Sequence, residues 1–464
     1  MKKTISVLLS LILAFSVIGL TGCTTAGEEV SNDEVNKDIQ QTYSDLKEQY
    51  DKDDTCDAVF SYVKWWADQN DGLTYEKINA DSIVLSSGAT KGYKKAESTL
   101  FEFNSGAGCA SSEKKNYAQV LSLALTTMKD SVNHGDVRLL ITRNPSSLKK
   151  SDFRADNIIS LTHGNDTAIY SGGAATAEYT FTKSLTTTES DGKTAYRITI
   201  DGLEGGSTGD TSRTHPNPSE EIASFINSCQ SSKINLEIAS FEGGTSYDTY
   251  QTKATAVVVV SGSSADKFQE KADKEAANYT DKNISKESDM TFTVSEVNVP
   301  SKVYSAESEA SVLSLMYTMS NGVFETIDGE DSGDSIAVSE LGYLRMTGSK
   351  FTAMVSARSI DADVMKEMNK EFKATATLND MSFKADKATP LWPYDVDSSL
   401  ASELSQATSE YGFKLDTQFT YEKTDLAIMY SKNKKINAVL FATNMENGYA
   451  AVRSMMLFLF NLNQ

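Results

Sequence analysis

The chain has 464 residues, with 44 Lys and Arg against 64 Asp and Glu, a formal net charge of −20 and 39% hydrophobic residues. That balance argues against nucleic acid and against anionic lipid surfaces as electrostatic partners, because both would be repelled. The length exceeds what one core serves, so two or more domains are expected. Six prolines and no obvious linker favour one domain inserted into another.

At the N-terminus Lys2 and Lys3 precede an almost entirely apolar run, Ile5 to Leu20. It is long enough to engage a translocon and short for a lasting membrane span, which needs ~20 apolar residues. The run ends in Leu20, Thr21, Gly22, Cys23, which resembles the lipobox of bacterial lipoproteins. The resemblance implies diacylglyceryl transfer to the Cys23 thiol and cleavage just before it. Residues 1–22 are then a signal peptide, and the protein sits on the outer face of a membrane, held by lipid at Cys23. Cleavage takes away two lysines and no acids, so the mature charge is −22. Residues 23–54 are polar and acidic and read as a tether running into a first helix.

The remainder reads as α/β. Phe60 to Gln69 is an aromatic-rich helix, Ala80 to Ser87 and Leu100 to Phe103 are strands, and Val120 to Met128 is a helix with a broad apolar face. Strands at Val137 to Thr142 and Asn157 to Leu161 follow. This alternation favours a largely parallel sheet over residues 55–177. From about Glu178 the texture changes, with Tyr196, Ile198 and Ile200 alternating with polar residues as in a half-exposed antiparallel strand. A helix (Ser219 to Cys229), strands at Ile234 to Ala239 and Ala254 to Val260, and a helix (Asp266 to Asn278) come next. A strand near Met290 to Val297 and a helix carrying Val312, Leu315, Met316 and Met319 continue the series. Strands around Tyr343 to Met346 and Phe351 to Ala357, then a helix Asp363 to Phe372, complete a ferredoxin-like ββαββα pattern occurring twice over 178–390. Residues 391–464 return to helix (Ser399 to Tyr411), buried strand (Ile436 to Phe441) and a Met- and Phe-rich helix (Ala450 to Phe460).

Besides Cys23 there are Cys56, Cys109 and Cys229, an odd count that allows at most one bridge. Cys229 shares a helix face with Ile222, Phe225 and Ile226, as a buried thiol would. A Cys56–Cys109 bridge is conceivable in an oxidising exterior, and the spacing leaves it open. Asp328, Glu330, Asp331 and Asp334 mildly resemble a calcium loop but lack its spacing and closing glutamate; a solvated loop is the plainer reading.

Several segments, in order, resemble the bacterial aminoacyl-histidine dipeptidases of the two-zinc exopeptidase family. They are Ala89-Thr90-Lys91-Gly92-Tyr93, Ala155 to Leu161, Gly202-Leu203-Glu204-Gly205-Gly206 through Gly209-Asp210, Gly243-Gly244 with Ala254 to Val260, and Leu391-Trp392-Pro393. The resemblance implies a mixed, largely parallel sheet core with an inserted α+β lid, two zinc ions held by histidines and carboxylates, and a glutamate base. The same comparison puts unsuitable residues where the chemistry should sit. The first ligand histidine and its Asp partner fall on Asn104 and Gly106, and the bridging carboxylate falls near Lys114. The two adjacent glutamates fall on Asn144 and Pro145, the next ligand Asp on Thr162, and the lid histidine on Ser207. The chain has three histidines: His134, expected at the surface, His163, near the expected site, and His215 in a loop. His163 with Asp166 offers at most a stray metal site. There is no H-E-x-x-H, no G-x-S-x-G and no phosphate loop.

The expected protein is therefore a lipid-anchored homologue without zinc or another cofactor, catalytically inactive, binding peptides or a surface protein and no nucleic acid. The alternative is a divergent metallo-dipeptidase with a rebuilt site. If Lys114 replaces the charge of the metal pair, its Nζ should reach an acidic residue inside that site.

Overall fold

A computed structural model describes residues 31–109, 114–131, 133–190, 192–211, 215–326, 335–386 and 388–462. Cys23, the segment before it and the acidic stretch 328–334 lie outside the described residues. Among the described residues, no helix is long and apolar enough to cross a membrane.

The strands of the core are β1 (Leu73–Asn79), β2 (Ser82–Ser87), β3 (Thr99–Asn104), β4 (Val137–Thr142), β5 (Asn157–His163) and β6 (Ala168–Gly173). The inserted part carries β7 (Ala175–Ser184), β8 (Thr187–Glu189), β9 (Thr194–Asp201), β10 (Leu236–Gly244), β11 (Ala254–Val260), β12 (Thr291–Val297) and β13 (Lys302–Tyr304). It continues with β14 (Gly322–Thr326), β15 (Ser335–Thr347), β16 (Lys350–Ser359) and β17 (Ser382–Ala385), and the core resumes with β18 (Thr417–Thr420) and β19 (Ala438–Thr443). The helices are α1 (Asn32–Tyr50), α2 (Asp57–Asp68), α3 (Gly106–Cys109), α4 (Lys114–Asp130), α5 (Pro218–Ser231), α6 (Ala265–Asn283), α7 (Ala306–Thr318), α8 (Ala362–Leu378), α9 (Ser399–Ser409), α10 (Asp425–Lys432) and α11 (Gly448–Asn461).

Alternation along the core strands explains the layering. Phe101, Phe103, Leu139, Ile141, Ile159, Leu161, Val439 and Phe441 point to one face, where α1, α2, α4, α9 and α11 cover them. Their neighbours Leu100, Leu140, Ile158 and Leu440 point to the other, under Trp392 and α10. Sheet order is β1-β2-β4-β3-β5-β19-β6-β18. The block β4-β3-β5-β19 is parallel, while β1, β2 and the β19–β6 pair are antiparallel, so the core sheet is mixed. Buried on both faces, its parallel strands read as near-continuous apolar runs, which is why they were legible.

The first helix expected within 23–54 takes up most of its described residues. Residues 32–50 form a helix, N-capped by Ser31, whose Val35, Ile39, Leu46 and Tyr50 are buried against α4 and α11. Four apolar side chains at helical spacing suffice to dock it although most of its surface is polar. Among the described residues the one bridge is Cys56 to Cys109, with 5.4 Å between their Cα atoms, and Cys229 is a free, buried thiol.

In the inserted part the second sheet runs β12-β9-β11-β10-β15-β16-β7-β17, all antiparallel, with β14 on β15. It contains two ferredoxin-like units. In one, β9, α5, β10, β11, α6 and β12 follow in sequence; in the other, β7, α7, β15, β16, α8 and β17 do, with the first unit inserted after β7. Each is βαββαβ, where periodicity suggested ββαββα; the strands of the first unit were all legible, and in the second β7 and β17 were not set apart. The units join through β10 and β15. Gly244, with φ of +63°, lies where any Cβ would strike the Gly342 carbonyl, and Arg345 donates to the carbonyls of Gly243 (2.8 Å) and Gly244 (2.7 Å). That glycine pair serves a close approach of two strands.

Candidate functional site

Ligand sites of open α/β sheets collect at the carboxyl ends of the parallel strands. Here Asn104 ends β3 level with Thr142 of β4, and Phe103 pairs with Leu161, which sets Thr162 of β5 beside Asn104. Thr162 pairs in turn with Ala442. The Asn104 side chain accepts from the Gly106 amide at 2.9 Å. Gly106 packs so closely on the Arg143 backbone that a Cβ would clash with it. Asn144 follows directly and caps a short turn that begins at Pro145, accepting from the Ser146 amide at 3.2 Å. Lys432 closes that turn from α10 by donating to the carbonyls of Pro145, Ser146 and Leu148. Asn104, Gly106, Asn144, Pro145 and Thr162 thus share one edge.

The other two expected positions are held by contacts of their own. Lys114 begins α4 and pairs with Asp54 at 2.7 Å, in the exposed connection between α1 and α2. Its charge is spent on a solvent-facing carboxylate, so it does not stand in for a metal pair. Ser207 is in a lid loop, accepting from the Gly209 amide at 3.1 Å and bridging Thr249.

Sequence reasoning passed over the carboxyl group beneath the edge. Glu102 is completely buried in β3 and accepts from Ser160 Oγ at 2.6 Å. Burial, and then the neighbouring Asp425, hold its carboxyl well above the usual carboxylate range. Asp425, the first residue of α10, is also raised by burial, and its side chain bonds Glu102 and Asn104. Two buried carboxyl groups this close disfavour ionising together, so the raised titration belongs to the pair. An acid inside the apolar run Leu100-Phe101-Glu102-Phe103 was the available signal.

The chain just before Asp425 meets the lid. Arg358 of β16 is buried and donates to the Tyr421 carbonyl (2.6 Å), Thr208 Oγ1 (3.0 Å) and Ser356 Oγ (3.2 Å), with Glu422 at 3.8 Å. Gly209 fits under this group, where a Cβ would stand 2.7 Å from both Arg358 Nη1 and Glu422 Cδ. Lys423 bonds the Tyr247 hydroxyl at 2.6 Å and Asp248 at 3.2 Å. Lid and core are therefore tied by charge-assisted bonds beside the edge.

No protein-family model and no curated protein matches the chain. Among solved structures it is similar to the aminoacylhistidine dipeptidase from Vibrio alginolyticus, at 16% identity and a TM-score of 0.71, covering 91% of this chain and 96% of that one. The two share a fold. Weaker likenesses include a tripeptidase from Staphylococcus aureus (10% identity, 92% and 98% covered, TM-score 0.47) and human carnosine dipeptidase 1 (10%, 94% and 100%, 0.44).

The resemblance read from the sequence leads one to expect a pair of metal ions, and the residues at the shared edge do not fit one. Asn104, Gly106, Asn144, Pro145 and Thr162 supply neither imidazole nor carboxylate, the donors such ions need. Among the described residues, no group of three or more His, Cys, Asp or Glu converges on a point. His134, expected at the surface, is buried instead: its Nδ1 lies 2.7 Å from the Gly135 carbonyl, and its backbone pairs with Thr90. His215 stacks on Tyr250 in the lid, with ring centroids 3.7 Å apart, and has Glu287 at 4.0 Å. His163 ends β5, opposite Thr443.

Proposed function

We propose that this chain is an extracytoplasmic protein, anchored to the outer face of a membrane by lipid at Cys23, whose dipeptidase-like fold binds peptides or a surface protein without cleaving them. Nucleic acid is not among its partners, in keeping with the net charge. The observation that carries the reading is the edge formed by Asn104, Gly106, Asn144, Pro145 and Thr162, where hydrolysis by a metal pair would require anionic or imidazole ligands. The lipobox-like Leu20-Thr21-Gly22-Cys23 carries the anchor.

A second reading, a divergent metallo-dipeptidase with a rebuilt site, is favoured by the Glu102–Asp425 pair, because carboxylates remain next to Asn104. Metal analysis of purified protein, with dipeptidase assays in zinc, manganese and cobalt, separates the two. The binding reading expects neither stoichiometric metal nor turnover; finding both, and losing both in Glu102→Gln, would establish the enzyme. For the anchor, Cys23→Ser should release the protein from the membrane fraction.

A further inference from the structure

A lid that opens and closes needs chain crossings whose backbone torsions are free to change. Here the inserted part leaves the core after Gly173 and returns before Trp392, and the two crossings are zipped together. Gly173 and Trp392 exchange both of their backbone bonds, at 2.8 and 3.0 Å. The Thr389 amide donates to the Thr176 carbonyl at 2.7 Å, and the Thr389 hydroxyl accepts from the Thr176 amide at 2.9 Å. The Asp386 amide donates to the Glu178 carbonyl, next to the β7–β17 pairing, so the crossings form one ribbon instead of two single strands. A Cβ on Gly172 would stand 2.5 Å from Tyr394 Cα, which leaves the base of the ribbon little room to turn.

A second set of ties lies on one core loop, Tyr421-Glu422-Lys423, between β18 and α10. The Tyr421 carbonyl accepts from Arg358 of the lid, and the Tyr421 hydroxyl donates to the Ser335 carbonyl, also of the lid. Glu422 stands 3.8 Å from the same guanidinium. Lys423 bonds the Tyr247 hydroxyl and Asp248, with its ammonium 4.9 Å from the centre of the Tyr247 ring. Tyr421 also joins Ala174 and Val338 in a small buried apolar cluster, with Ile360 and Phe419 packed against it, so lid and core side chains share it. Opening the lid would take the Tyr421 and Glu422 partners from a buried cation and wet this cluster in the same step. Breaking a buried charge away from its partners is strongly disfavoured.

We infer that lid and core are latched into one rigid body, and that this protein works without the opening and closing of its interdomain cleft. Relative motion is the default for two parts of a chain that meet through a modest polar interface. Here the ribbon resists rotation at the crossings, and the Tyr421-Glu422-Lys423 latch holds the two parts together at a further point. The latch leads directly into Asp425, whose side chain bonds Asn104, so the edge is held in a set shape. Whatever occupies that edge docks on a preformed surface. The inference is independent of the anchor at Cys23 and of whether the occupant is a peptide or a protein.

The test uses the full chain carrying nitroxide labels at Gln406→Cys, exposed in α9 of the core, and Lys373→Cys, exposed in α8 of the lid. Pulsed electron–electron double resonance reads the distance between them. Cys229 is buried and Cys56 is bridged to Cys109, and the chain without the added cysteines gives the background. One narrow distance distribution is expected; a broad or two-peaked one overturns the lock. Replacing Arg358 by Ala and Lys423 by Met together should add a second population of distances, and a distribution that stays narrow overturns the role of the latch. Lys423→Met alone alters a partly exposed side chain and keeps the test open if the double variant does not fold. It should broaden the distribution less, and an unchanged width overturns the part given to Lys423. Amide exchange at Gly173 and Trp392 should be slow in the parent, and rapid exchange there overturns the ribbon.

Discussion

Arg358 Nη1 donates to the carbonyl of Tyr421 at 2.6 Å, so a lid strand and the core chain just before α10 are held by one buried guanidinium. Burial pulls the Arg358 pKa below its ordinary value, with Glu422 opposing, and the buried cation has its donors matched by three acceptors. Arg358→Ala is expected to lower stability by about 2–4 kcal/mol, as several polar partners lose their donor at once. Arg358→Lys should recover little, since an ammonium cannot reproduce the planar fork. Urea denaturation of the three proteins checks this, and a loss under 1 kcal/mol for the alanine variant contradicts it.

Stability should fall as pH rises from about 5 to 8. Burial pushes Glu340 up to about 8, partly offset by Asn217, which donates to it at 2.9 Å, and pushes Glu220 up to about 7. A carboxyl whose folded pKa is raised favours folding fully below its unfolded value, ~4.5, and the contribution is lost as pH climbs through the folded value. Glu340→Gln should therefore be more stable than the parent at pH 8.5, by roughly 1–3 kcal/mol, with the gap closing towards pH 5. Thermal unfolding across that range reads the slope.

Removing the Cys56–Cys109 bridge should destabilise the core. It closes a loop of 53 residues, and loops of this size stabilise by about 2–4 kcal/mol, mainly by restricting the unfolded chain. The double Ala variant, compared with the parent under oxidising conditions, gives the difference. If the parent loses nothing on reduction, the two cysteines are not bridged.

Lys114→Ala should change little. Its partner Asp54 is 76% exposed, and such pairs contribute about 0–1 kcal/mol. The metal content of the protein should also be unaffected. A large loss of stability would place Lys114 in a different environment.

Much of the fold was legible because burial leaves periodic traces. The runs at Val137 to Thr142 and Ala438 to Thr443 are apolar on both faces, as only central strands are. By contrast, β6 contains Gly172 and Gly173, and β18 spans only Thr417–Thr420, so neither offered enough alternation to be read. The docking of α1 was missed for a related reason, since its few apolar positions are diluted by charges.

By itself the sequence determined the chemistry available: three histidines, a basic and apolar start ending at Cys23, and no ligand-type residue at Asn104, Gly106, Asn144, Pro145 or Thr162. Tertiary structure alone decided who meets whom. It bridged Cys56 to Cys109, sent Lys114 to Asp54 and set Glu102 against Asp425. Composition and periodicity report how each residue partitions between water and core, whereas those pairings depend on strand register and helix direction, which close contacts between residues distant in sequence.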